Sequence, residues 1–225
     1  MTLRELDRDV YVLDHPLRAG GLELGTRTSL VRLPGGGLWL LSPGPLDGVA
    51  REAIGKLGPV RAIVVPNLLH HLYAADAAAA FPDARVFAVP GIEAKQPKLR
   101  IDERLGAEPP ALWRGALEQV AVAGAPRMGE TVFFHAASKT LFLTDLAFNL
   151  HPQDFFTRLF MRVNGGLDRF GPTRIFRYSL LRDRAALRGS LERIFRWDFE
   201  RIVVTHGEIV AHGGRELCRA AFAWV

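Results

Sequence analysis

The stretch Arg61-Ala-Ile-Val-Val-Pro-Asn-Leu-Leu-His-His71, continued by Leu-Tyr-Ala-Ala-Asp-Ala-Ala-Ala-Ala-Phe81, decides how the rest of the chain is read. Ala62 to Val65 is a short apolar, largely β-branched run and predicts a strand buried on both faces. Pro66 ends it, because proline brings no N–H to a sheet ladder. Polar Asn67 follows, then adjacent His70 and His71, then an alanine-rich segment of high helix propensity. A strand that stops and delivers imidazoles just ahead of a helix puts them outside the carboxyl edge of a sheet, where open α/β folds bind ligands. The same histidines could instead do no more than cap and solvate a helix start.

Working outward, the N-terminal third is β-rich. Val10–Leu13 and Ser29–Leu33 alternate as strands, and Leu38–Leu41 returns as a hairpin partner across Pro34-Gly-Gly-Gly37. Asp47 is placed to cap a helix running to Leu57. Arg85–Val89 is a further strand, and residues 91–116 read as a short helix within a long surface loop. Leu117–Val122 and a hairpin of Glu130–His135 with Thr140–Thr144 follow, leaving Asp145 at a strand end. Asp154 caps a helix to Val163 whose Phe155, Phe156, Leu159, Phe160 and Val163 stripe predicts ordinary packing, with a pocket lid as the alternative. A helix from Asp183 to Arg196, a strand from Phe199 to Thr205 ending at His206-Gly207, and a helix over Gly213–Val225 complete the chain. Arg61–Asn67 echoes Glu200–His206 and suggests two related halves.

The 225 residues, 48% hydrophobic, suit one α/β domain over residues 1–225 with a substantial core. No apolar run approaches the roughly 20 residues of a membrane span, and the N-terminus lacks a signal-peptide core. Cys218 is the only cysteine, which excludes an intrachain disulfide and points to a reducing cytoplasmic setting. The net charge of +5 is unevenly spread: Arg158 to Arg201 holds eleven arginines against five acids. This suits solvated helix faces, or a wall that attracts a small anionic substrate. Nucleic acid is disfavoured, since no basic stretch is interleaved with aromatics.

His70-His71, Asp145 and His206 thus stand at three strand ends, a set of imidazoles and one carboxylate suited to zinc or iron. A divalent ion there would make water a nucleophile near neutral pH. The order of these features resembles the metallo-β-lactamase fold superfamily. Thr26–Leu33, Leu38–Pro43, Pro66–His71, Phe133–Asp145 and Thr205–Gly207 more closely resemble an uncharacterised family of that fold, known only as a domain of unknown function. The resemblance implies an αββα four-layer sandwich and a two-metal site built on His-x-His-x-Asp-His, a later His, a bridging Asp and a final His.

Aligned without a gap, the two leading histidines of that signature fall on Pro66 and Leu68, and the Gly124–Gly129 turn holds no histidine. The resemblance therefore implies at most one metal, held by His70, His71, Asp145 and His206. Four protein ligands would close a tetrahedral site, and loss of one would open it for catalysis. Asp145 and His70 are then the candidates for handling water and protons. Asn67, Glu130 and His135 are candidates for touching substrate, while His15, His151 and His212 are expected at the surface or in loops. The expected function is a metal-dependent hydrolase-like protein acting on a small molecule. The alternative is a metal-free, non-catalytic module that binds a small ligand or a protein.

Overall fold

The computed structural model describes residues 3–225, and among them the strands form two main sheets. The chain begins with β1 (Leu3–Asp7) and β2 (Val10–His15), makes a small separate hairpin of β3 (Arg18–Ala19) and β4 (Leu22–Glu23), and returns as β5 (Thr26–Arg32). β6 (Leu38–Leu41), β7 (Val60–Val65), β8 (Arg85–Ala88) and β9 (Glu103–Arg104) complete the first sheet in the order β1-β2-β5-β6-β7-β8-β9. It is antiparallel from β1 to β6 and parallel from β6 onward. The second sheet is β10 (Leu117–Ala121), β11 (Thr131–His135), β12 (Thr140–Leu143) and β13 (Arg201–Val204), with only β12 and β13 parallel.

Period-two alternation fixes what lies between the sheets. Phe133, Phe142 and Val203 of the second sheet pack into the cluster formed by the first sheet. Their neighbours Val132, Phe134, Leu141, Leu143, Ile202 and Val204 face the other way, into a second cluster. Trp39 of β6 joins the sheets, edge-on to Phe133 at 4.9 Å between ring centroids and tilted against Phe142 at 5.9 Å. Each fully buried ring of this kind contributes about 1.5–3 kcal/mol by area alone. The first cluster also takes Ala50 and Ile54 of α1 (Gly48–Leu57), Ala74 and Ala77 of α2 (Ala74–Ala80) and Ile92 of α3 (Ile92–Lys95). The second takes Leu187, Leu191 and Ile194 of α5 (Arg184–Ile194) and Cys218 of α6 (Gly214–Ala221), while α4 (Phe155–Val163) lies beside the β3–β4 hairpin. Helix, sheet, sheet, helix is the layering expected.

A buried arginine also ties the two sheets together. Arg27 of β5 is nearly covered, donates through Nε to Asp14 Oδ1 at 2.6 Å and through Nη1 to the Val204 carbonyl of β13. The expected caps form at Asp47 and Asp154, and Asp183 adds a third; each accepts from the backbone N–H three residues on. Removing such a cap costs about 1 kcal/mol. β7 and β13, the two strands of similar sequence, sit one in each sheet.

Several expectations change. Residues 91–116 are not a plain surface loop, because Trp113 is buried at 4.5 Å from Phe87 and 6.2 Å from Trp39. His15 is buried too, its Nε2 3.0 Å from Thr28 Oγ1, with the tight packing of Gly44 against its ring. Nor does the α4 stripe pack inward. Thr157 and Met161 are the side chains α4 buries, and Phe155, Phe156, Leu159 and Val163 face outward. The spacing identified an apolar face correctly, but the side of the helix that meets the protein is the one carrying Met161 and Thr157, whose Oγ1 accepts from the Glu23 N–H at 2.8 Å.

Candidate metal centre

The parallel pairings β6–β7 and β12–β13 bring the carboxyl ends of four strands to one edge of the sandwich. Ser42 follows β6, Asn67 and His70 follow β7, Thr144 and Asp145 follow β12, and His206 follows β13. At this edge His70 Nε2 lies 3.2 Å from His206 Nε2 and 3.2 Å from Asp145 Oδ2, and His206 Nε2 lies 3.7 Å from Asp145 Oδ1. All three side chains are nine-tenths buried or more.

Each ligand candidate is held from behind. His206 Nδ1 donates to the Gly25 carbonyl at 2.7 Å, which leaves Nε2 with its lone pair turned into the cluster. Phe148 stacks on the same ring, 5.1 Å between centroids and 8° between planes. His70 Nδ1 is 2.7 Å from Ser42 Oγ. Ser42 adopts a left-handed backbone with φ +51°, an unusual conformation for a residue with a side chain and one found at strained functional positions. Asp145 Oδ2 accepts from Asn67 Nδ2 at 2.7 Å.

Behind these lies a second carboxylate. Glu130 Oε1 accepts from Thr144 N, and Oε2 accepts from Asp145 N, Leu146 N and Asn67 Nδ2, at 2.7–3.2 Å. Burial and the charge on Asp145 push the Glu130 carboxyl up, while the hydrogen bonds from Thr144 and Asn67 pull it back. Asn67 is fully buried as well, and its Oδ1 accepts the N–H groups of Leu69 and His70, bending the chain after Pro66. Asn67 and Glu130 therefore shape the turn and the carboxylate. This corrects the expectation that they touch substrate.

Titration follows from this packing. Burial disfavours the charged ring of His70, but Asp145, by charge and hydrogen bond, outweighs burial and raises it. Burial would raise Asp145, yet His70, then His206 and Asn67, bring it down to about 2. Burial and the charge on His70 lower His206 to about 4, against the opposing pull of Asp145.

The donors fit a divalent ion. In a tetrahedral site with arms of about 2.0–2.2 Å, neighbouring ligand atoms stand roughly 3.3–3.6 Å apart, close to the 3.2 Å between the two Nε2 atoms and to their 3.2 and 3.7 Å separations from the two Asp145 oxygens. Among the described residues, His70, Asp145 and His206 form the one group of His, Cys, Asp or Glu side chains with this convergence.

Other expected site residues lie elsewhere. His71 turns away, its Nδ1 3.0 Å from Gln96 Nε2, because Asn67 fixes the backbone so that His70 alone points inward. His135 is at the opposite end of β11, where it pairs with Ser138 Oγ at 2.8 Å; residues 131 to 135 run away from the edge where Asp145 sits. His70 and His71 do not cap α2, whose N-cap is Tyr73 with no side-chain hydrogen bond. Ser42 was missed, since a serine before Pro-Gly-Pro reads as a strand breaker. Only the parallel β6–β7 pairing places it beside His70.

The cavity at the centre, of about 230 Å³, has walls that are mostly apolar: Leu17, Ala19 and Leu24 of the β3–β4 region, Pro43, and Leu69, Leu72 and Tyr73. No arginine is among its lining residues, so the arginine-rich segment does not form its wall as expected. α4 lies across the β3–β4 hairpin from this cavity, and Arg169, Arg174 and Arg177 line a separate one.

No protein-family profile and no curated protein matches the sequence. Solved structures do. The DIM-1 metallo-β-lactamase exposed to ceftazidime superposes with a TM-score of 0.68 at 13% identity, covering 99% of this chain and 96% of that one. A metallo-β-lactamase from Pontibacter korlensis gives 0.65 at 14% identity over 99% and 98%. The FIM-1 metallo-β-lactamase from Pseudomonas aeruginosa, in its mono-zinc form, gives 0.66 at 13% identity over 99% and 91%. Two stacked sheets between helix layers, with the candidate ligands at their shared edge, give this chain the metallo-β-lactamase fold.

Proposed function

We propose that the chain is a metal-dependent hydrolase with a single divalent ion, zinc or iron, held by His70, Asp145 and His206. The observation that carries the reading is the convergence of three donor groups on the floor of a pocket: the two Nε2 atoms stand 3.2 Å apart, His70 Nε2 is 3.2 Å from Asp145 Oδ2, and His206 Nε2 is 3.7 Å from Asp145 Oδ1. Three protein ligands and an open fourth position is the pattern of catalytic zinc sites, whereas four closed ligands mark structural ones. His71, turned to Gln96, leaves that position open. A bound ion would supply Lewis acidity toward a substrate oxygen.

The chain's own residues do the remaining work. Ser42 and the Gly25 carbonyl fix the two imidazoles, and Asn67 with Glu130 fixes the carboxylate, so the three donors need little rearrangement on binding. Leu17, Leu24, Leu69 and Leu72 line the pocket and favour an apolar group on the substrate. A small neutral ester, thioester or amide with an alkyl or aryl arm suits these walls better than an anion does.

The test is elemental analysis of purified protein together with turnover of a panel of nitrophenyl esters and thioesters. About one equivalent of metal per chain is expected, lost in His206→Ala and kept in His71→Ala, with activity following the metal. Protein that takes up neither zinc, iron nor manganese in solution would sink the proposal.

A second reading has its own support. Without metal the cluster is held by a proton, with a charged His70 donating through Nε2 between Asp145 and the unprotonated Nε2 of His206. Such a chain would be a ligand-binding module that catalyses nothing, and the metal measurement separates the two.

A further inference from the structure

The β3–β4 hairpin is a partition. Leu17, Ala19 and Leu24 look into the pocket of His70, Asp145 and His206, while Arg18, Gly20, Gly21 and Leu22 line a groove of about 650 Å³ on its other side. The far wall of that groove is α4, through Phe156, Leu159, Phe160 and Val163. Phe155 and Phe156 are 71% and 70% exposed, a heavy cost in water for two adjacent aromatic rings that touch mainly each other at 5.7 Å. A contiguous exposed face of this kind marks an interaction surface.

Charge identifies what the face fits. Arg18 is paired with Glu23, and Arg158 with Asp168. Among the described residues, however, Arg162, Arg169, Arg174 and Arg177 have no acidic partner, and all four are exposed. They adjoin the apolar face directly: Arg174 Nη1 donates to the Val163 carbonyl at 2.9 Å, and Arg174 and Arg177 share a second cavity with Asn164, Gly165, Tyr178 and Trp224. Exposed Tyr178 stands beside Arg177, whose guanidinium also covers the Trp224 ring at 4.2 Å. A short helix with aromatic and aliphatic residues outward, rimmed by arginines and by Tyr and Trp, has the composition of a segment that lies in a lipid headgroup layer. Arginines near an anionic surface add electrostatic attraction to the apolar contact.

We propose that α4 and the β3–β4 hairpin seat on an anionic lipid surface, which would place the mouth of the apolar pocket at the lipid–water boundary. A second copy of this chain is a poorer occupant. A two-fold contact through this face would set its rim of unpaired arginines against an identical arginine-rich rim. The proposal stands on α4 and the arginines alone and does not need a metal.

Vesicle co-sedimentation tests it, comparing phosphatidylcholine alone with phosphatidylcholine carrying about 30 mol% phosphatidylglycerol. Preference for the anionic vesicles by about tenfold is expected, weakening as salt rises. Phe155→Ser with Phe156→Ser, and separately Arg174→Glu with Arg177→Glu, should each lower partitioning by about tenfold. These side chains are exposed, so thermal melts should be unchanged. If the first pair fails to fold, the second decides. Val49→Ser on α1, an exposed apolar residue outside the face, should change nothing. Three results would overturn the proposal: no preference for anionic vesicles; equal binding to soluble polyglutamate with no effect of the phenylalanine changes; or a dimer in sedimentation equilibrium that the phenylalanine changes abolish.

Discussion

Asn67 Nδ2 stands 2.7 Å from Asp145 Oδ2, and this one hydrogen bond joins the carboxyl end of β7 in the first sheet to that of β12 in the second. The same amide also reaches Thr144 Oγ1 at 2.8 Å and Glu130 Oε2 at 3.2 Å. Asn67→Ala therefore leaves two buried carboxylates short of a donor and should cost about 2–4 kcal/mol. Asn67→Asp should cost more near neutral pH, since it sets a third carboxylate against Asp145 and Glu130, and should recover partly below about pH 4. Urea midpoints of both variants at the two pH values check this.

Ser42 should matter through His70 alone. Its Oγ, 2.7 Å from Nδ1, fixes which ring nitrogen faces Asp145. Ser42→Ala is expected to weaken zinc binding by about 10- to 100-fold, as loss of an outer partner of a ligating imidazole does. Competition against a chromogenic chelator gives the number, and an unchanged affinity would show that His70 is oriented by packing instead.

The acid limb of the metal-free protein's stability should carry the signature of His206 and Asp145. His206 is lowered to about 4, so between that value and the unfolded value near 6.5 the unfolded chain binds the extra proton. Its contribution is fully present above about pH 6.5 and is lost as pH falls toward 4. Asp145, lowered to about 2, adds a contribution present above about pH 4 and lost as pH falls toward 2. His70 is raised, so it acts in the opposite sense: its contribution is present below about pH 6.5 and is lost as pH rises through the raised value. His206→Gln should flatten the upper part of the acid limb in a series of thermal melts, by on the order of a few kcal/mol.

Gly207 follows His206 at φ +105°, and a Cβ there would stand 2.0 Å from the Asn149 carbonyl oxygen. That clash is with backbone paired across Asn149 and Gly207, which cannot give way cheaply. Gly207→Ala should lose more than about 3 kcal/mol and displace His206, weakening metal binding with it. Gly213→Ala, at φ +65° with nothing within 4 Å, is the control and should lose only about 1 kcal/mol. Denaturant midpoints of the two variants separate steric clash from backbone strain.

Much of the site was legible because its residues sit where strong local signals end. β7 and β13 end in short β-branched runs and β12 in a short apolar one, and Asn67, Asp145 and His206 lie at or just beyond their ends. His70 and His71 were not separable. They occupy an irregular turn with no periodicity, and the inward one is chosen by Asn67 Oδ1 accepting the Leu69 and His70 N–H groups. His135 failed for the reverse reason: its strand was placed correctly, but a strand has two ends, and the antiparallel pairing of β11 with β12 sends this one away. In α4 the amphipathic spacing was plain, yet a stripe records only that a face is apolar, not that anything covers it.

By itself the sequence determined the alternation of strands and helices, the polar residue at each strand end, and the absence of imidazoles at Pro66 and Leu68, because these depend on local propensity and residue identity. The tertiary structure alone decided that His70, Asp145 and His206 meet, that His71 does not, and that the arginines stay out of the pocket. Convergence to within 3–4 Å requires the β12–β13 register and the seating of Trp39 on Phe133 and Phe142, and those contacts join residues far apart along the chain.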